Sequence, residues 1–182
     1  MVETPEADFS VAWKRLHPEG LPTGFLMRDY SGEPWVRFHS LPGSKRYAET
    51  DAERRTVLDR STRLAERVLG TNGPCWIVQA CWSDPSEEDK EKFDPPYDPY
   101  WAIGHYDLVP SMTFQEPDGD TQWRIYAGRT TWRNEAFNEL LASIAADEAA
   151  PTLWMSQETG AVFAPYDGGV DRSSIQTPSE TN

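Results

Sequence analysis

The stretch Thr50-Asp-Ala-Glu-Arg-Arg-Thr-Val-Leu-Asp-Arg-Ser-Thr-Arg-Leu-Ala-Glu-Arg-Val-Leu-Gly-Thr-Asn-Gly-Pro-Cys-Trp-Ile-Val-Gln-Ala-Cys-Trp82 sets one long helix directly before one buried strand. Thr50 and Glu53 have the spacing of a capping box, in which the hydroxyl accepts one free helix N–H and the carboxylate reaches back for another. Val57, Leu58, Ser61, Leu64, Ala65, Val68 and Leu69 then recur on one helical face, with Arg54, Arg55, Arg60, Arg63 and Arg67 on its flanks. Gly70 and Asn72-Gly73 end the helix. From Cys75 to Trp82 only Gln79 interrupts an apolar run, which reads as a buried central strand. Helix and strand side by side in this form point to an α+β domain.

Upstream, Phe9, Ala12, Trp13 and Leu16 form a second helical stripe, ended by Pro18 and Gly20. Gly24–Tyr30 and Trp35–Ser40 are short aromatic-rich runs around a Gly-Pro turn, which predicts a hairpin. In its second arm Arg37 and His39 share one face, and Val36 and Phe38 are expected to pack on the core from the other. Downstream, Tyr100–Tyr106 and Gln122–Ala127 are expected as strands. Phe137, Leu140, Leu141, Ile144 and Ala145 mark a third helix, and Leu153–Ser156 with Ala161–Ala164 a C-terminal hairpin. The expected fold is a mainly antiparallel sheet of about five or six strands with three helices packed on it. One domain spans 1–171, followed by a polar tail, 172–182, expected to be disordered.

The chain has 182 residues, enough to bury roughly 70% of its unfolded surface. Its net charge is −13, which argues against nucleic acid or an anionic membrane as the partner, since both demand a dominant basic face. No stretch approaches the ~20 apolar residues of a membrane span, and the acidic Met1–Glu6 opening has no apolar core of a signal peptide. Cys75 and Cys81 lie on one strand roughly 20 Å apart, too far to bridge each other. Two unpaired thiols fit a reducing cytoplasm, where the protein is expected.

His17, His39 and His105 sit in separate segments without metal-ligand spacing, so neither a metal nor another cofactor is expected. No nucleophile elbow or phosphate loop occurs, and no catalytic residue is assigned. Charge is nonetheless segregated. From Arg37 to Arg67 there are eight Lys or Arg against five Asp or Glu. Arg37 and Arg46 present planar forks that suit an anion. The same forks suit the protein's own carboxylates, for instance Asp167 or Asp171, and we favour that pairing for them. Residues 84–99 carry seven acids against two lysines, with four prolines. Glu87, Glu88 and Asp89, with Phe93, Tyr97, Tyr100 and Trp101, combine steering charge and aromatic anchors as a partner interface does.

Trp35-Val-Arg-Phe-His-Ser-Leu-Pro-Gly-Ser-Lys-Arg-Tyr47 and Pro165-Tyr-Asp-Gly-Gly-Val-Asp171 together resemble the motifs of a widespread bacterial family of uncharacterised small proteins. The resemblance implies no activity. It implies that Arg37, Ser40, Lys45, Arg46, Tyr47, Tyr166, Asp167 and Asp171 belong together. The expectation for function is a non-enzymatic acidic binding protein, an immunity-type inhibitor of a basic toxin partner. The alternative is a site for a small anionic ligand, or an enzyme, built on the Arg37–Tyr47 turn, with His39, and the Pro165–Asp171 loop.

Overall fold

The structure, a computed structural model, describes residues 5–30, 34–82, 98–117, 119 and 121–173. Its elements in chain order are α1 (Pro5–Leu16), α2 (Gly24–Tyr30), β1 (Trp35–His39), α3 (Asp51–Leu69), β2 (Pro74–Cys81), α4 (Trp101–His105), β3 (Val109–Gln115), β4 (Gln122–Thr131), α5 (Asn138–Ala145), β5 (Thr152–Ser156), β6 (Val162–Tyr166) and β7 (Gly169–Ser173). The strands form one sheet in the order β1-β7-β6-β5-β2-β4-β3, and every neighbouring pair is antiparallel. The described residues thus hold seven strands and five helices where the sequence suggested five or six and three.

β2 lies between β5 and β4 and is buried along its length. Its alternation feeds two cores. Cys75 and Ile77 join Trp132, Phe137, Leu140, Trp154 and Phe163 beneath α3 and α5. Trp76, Val78 and Ala80 join Phe9, Trp13, Leu26 and Met27 of α1 and α2 on the other face. The predicted capping box is present at Thr50, whose side chain accepts from the Glu53 N–H while Glu53 accepts from Thr50. Burial pushes both thiols up to about 12, so they stay protonated and unreactive at neutral pH. Iodoacetamide at pH 8 is therefore expected to leave native protein unlabelled and to modify Cys75 and Cys81 only after denaturation, as mass spectrometry would show.

Several expectations are corrected. Gly24–Tyr30 is a helix, not a hairpin arm. Thr23, Leu26 and Met27 are buried at helical spacing, and seven residues are too few for periodicity to betray this. Tyr100–Tyr106 holds the one-turn helix α4, with Trp101 and His105 edge to face one turn apart. β1 pairs instead with β7. Val36 and Phe38 share a face with Phe163 and Val170, but β1 is the sheet edge and both are exposed. β3 and β7 went unforeseen as strands. Pro110 at the outer edge and the Gly-Gly pair at 168–169 hide them, and both are held by their neighbours. β7 reaches Ser173, so Arg172 and Ser173, assigned to the tail, belong to the sheet. Positions 174–182 lie outside the described residues.

Candidate functional site

Pairing of β1, β7 and β6 sets Arg37, Asp171 and Ala164 in one cross-strand row. Directly opposed side chains on one face lie within reach of each other. Arg37 accordingly donates through Nε and Nη2 to the two Asp171 carboxylate oxygens, each at 2.8 Å. Its guanidinium also lies 4.8 Å from the Tyr166 ring centroid. The Asp171 hydrogen bonds hold the Arg37 pKa above its ordinary value. The Tyr166–Gly169 corner requires its glycines. A Cβ on Gly168 would lie 2.7 Å from the Tyr166 ring, and one on Gly169 would lie 2.0 Å from the Phe38 carbonyl oxygen.

The Leu41–Tyr47 segment closes the site from the other side. Gly43 and Ser44 both take left-handed backbone angles, φ 65° and 58°. Ser44 bears a cost of order 1 kcal/mol there that glycine would not. The chain that emerges sends Lys45 one way and Arg46 the other. Lys45 pairs with Glu53 at 2.8 Å and Glu49 at 3.0 Å. Arg46 donates through Nε to Asp167, and interaction with the same carboxylate raises the Tyr47 phenol pKa. Ser40 is buried and acts through its backbone: its N–H donates to the Gly168 carbonyl and its carbonyl accepts from Arg60.

Part of this set, without Ser40, Lys45 and Tyr47, lines a groove of about 480 Å³. Arg37, Arg46, Tyr166, Asp167 and Asp171 come from the predicted set. Phe25, Trp82, Pro99, Ile144, Asp147 and the Ala149–Thr152 stretch complete the walls and were missed. They are ordinary loop and element-end residues brought in by tertiary packing, and no local sequence pattern marks them. His39 is exposed and does not line the groove, and Lys45 turns away to α3. Of the expected partner interface, Glu87, Glu88, Asp89, Phe93 and Tyr97 lie outside the described residues. Tyr100 is buried against Trp82 and so presents no exposed anchor, while Trp101 is half-buried.

The cations of this turn are paired with carboxylates of the protein itself. Both groove guanidiniums already face carboxylates, and Asp147 adds a third acid to the two arginines of the lining. Among the described residues no three His, Cys, Asp or Glu side chains are grouped to hold a metal ion, and no described helix is long and apolar enough to cross a membrane.

Glu53 joins the site to α3. It accepts from Lys45 and from the N–H groups of Glu49 and Thr50, and these bonds, Lys45 first, lower its pKa from 4.5 to about 2. A carboxylate with a depressed folded pKa stabilises above its unfolded value and loses that contribution as pH falls through the folded one. Glu53→Gln keeps a capping acceptor but not the charge. The melting-temperature gap between wild type and Glu53→Gln is thus expected in full above pH 4.5 and to vanish by about pH 2, as melts across that range would check.

An antiparallel α+β domain with an ion-paired groove at the β1-β7-β6 corner defines the class. The chain belongs to the family described as a domain of unknown function, DUF3885, whose profile matches residues 23–177. That interval contains every groove residue named above and begins after α1. No curated protein and no solved structure matches the chain.

Proposed function

We propose that this is a non-enzymatic binding protein for a positively charged protein partner, and specifically an immunity-type inhibitor of a basic toxin. The observation that carries the reading is the sign of the groove: three carboxylates against two guanidiniums, over apolar walls, in a chain of net charge −13. The 84–98 stretch with its seven acids runs between Trp82 and Pro99, both in the groove lining. Acidic charge raises the encounter rate with a basic surface, and an apolar recess supplies the anchor. An anionic ligand, the alternative, finds the right residues gathered but both arginines committed. The immunity assignment itself rests on class-level likeness among small acidic α+β proteins.

The test is capture of a partner from the producing cell at 50 and 300 mM salt, followed by assay of the captured protein. A basic protein whose toxic activity is suppressed by stoichiometric addition of this chain, with binding weakened at the higher salt, supports the reading. A partner that is acidic, or one that stays active when bound, overturns it.

A further inference from the structure

We propose that Asp167 is a docking point for an arginine side chain of the partner, and that Arg46 occupies it as an exchangeable internal stand-in. The proposal deepens the reading above and rests on it. The two ion pairs of the groove are built differently. Arg37 stands on a strand, grips Asp171 with both prongs and lies over Tyr166; its side chain is 40% exposed and that of Asp171 5%. Arg46 stands on a loop, touches Asp167 through Nε alone, and is 63% exposed, whereas the Asp167 side chain is only 8% exposed.

A carboxylate so enclosed needs a cation beside it. Nothing in the backbone pairing requires that cation to be Arg46, because the Pro42–Lys45 turn that carries it joins no strand. The surroundings suit a guanidinium in particular. Tyr47 offers its ring face 5.5 Å from the Arg46 guanidinium carbon. Asp147 adds further negative potential. Ile144, Ala149, Pro151 and Pro165 form apolar wall for an arginine's methylene stem. The Tyr166 hydroxyl, buried and without a hydrogen-bond partner among the described residues, is one more polar group in the lining.

Exchange swaps one guanidinium for another and leaves no charge unpaired, since Arg46 is already largely in water. As a tethered competitor Arg46 acts at an effective concentration of order mM. It therefore masks the subsite from any weak free ligand.

The experiment titrates N-acetyl-arginine amide into wild type, Arg46→Gln and the double variant Arg46→Gln/Asp167→Asn, with each variant's melting temperature as folding control. Arg46→Gln is expected to bind at least about tenfold tighter than wild type, by the lifted competition. Binding should disappear when Asp167→Asn is added, and N-acetyl-lysine amide should bind several-fold more weakly for lack of the planar fork. Should Arg46→Gln fail to fold, Arg46→Lys serves, with a smaller gain expected. An Arg46 variant that binds no tighter than wild type, or a double variant that binds as well as the single, overturns the proposal. A basic partner inhibited by wild type but bound less well by Arg46→Gln would likewise overturn the exchange while leaving the inhibitor reading intact. Arginine amide bound as expected, with no basic protein partner found, would keep the subsite and retire that reading.

Discussion

Trp154→Ala lowers the unfolding free energy by about 3–5 kcal/mol. Trp154 is fully buried on β5, opposite Ile77 and Phe163 on the neighbouring strands. Its ring meets Phe137 at 5.4 Å and Trp132 and Phe163 at 5.7 Å, so truncation opens a cavity at the junction of α5, the β4 end and the sheet. Neighbours already stacked on one another, as Trp132 and Phe137 are at 5.2 Å, have little freedom to collapse into it. Against a typical total of ~5–15 kcal/mol this is a large fraction. Trp154→Phe separates volume from polarity. The indole N–H has no hydrogen-bond partner among the described residues, so its removal costs nothing and the remaining loss stays below ~1.5 kcal/mol. Urea unfolding with unchanged m-value is the measurement. Equal losses for Ala and Phe would show that the cluster relaxes around the site.

That core is legible in the sequence because its parts carry strong local signals. The seven-residue apolar face of α3 and its capping box, the run at Cys75–Trp82, and the Leu153–Ala164 hairpin each outweigh any competing local preference. What failed to show was decided by neighbours rather than by spacing. Gly24–Tyr30 sets Phe25, Tyr30 and a glycine against Leu26, Met27 and Arg28, so local preference does not decide it. It is α2 because Leu26 and Met27 close the second core, and a Cβ on Gly24 would lie only 3.0 Å from Ala164. Val36 and Phe38 alternate like core residues, yet helix cover does not reach the edge strand they occupy. Of the groove, the arginines and their acids were readable as opposite charges in two motifs, and the favoured pairing with Asp167 and Asp171 holds. Asp147, Ile144 and the Ala149–Thr152 wall carry no such mark, because a concave surface is a property of the folded chain. The charge partition is narrower than supposed. Arg37, Lys45, Arg46 and Arg54 are each ion-paired on the spot. The described residues hold fifteen basic and nineteen acidic side chains, so most of the acidic excess falls on the other positions, six acids within 83–97 among them.

Arg37→Ala is expected to cost about 2–3 kcal/mol, and Asp171→Ala clearly less. Breaking a fully buried pair by removing one member costs ~3–5 kcal/mol, and the 40% exposure of Arg37 calls for a discount, since water already screens part of the attraction. The asymmetry follows from where each partner is left. Without Arg37, the Asp171 carboxylate stays beneath the β1-β7 surface with neither prong of its fork replaced, and Arg28, the next cation acting there, is held by Asp29. Without Asp171, Arg37 keeps the Tyr166 ring and swings its head into solvent. Arg37→Met with Asp171→Leu removes both charges and is expected to recover part of the single-variant loss, since a buried pair gains little over apolar packing of similar volume. Denaturant curves for the two singles and the double give the coupling energy directly. If Asp171→Ala is the more damaging change, the carboxylate is hydrated in the native state, and the β1-β7 pairing rather than this ion pair holds the edge strand in place. If the order is as expected, Arg37 is the fixed wall of the groove, and partner binding should fall in Arg37→Ala only in proportion to its unfolded fraction.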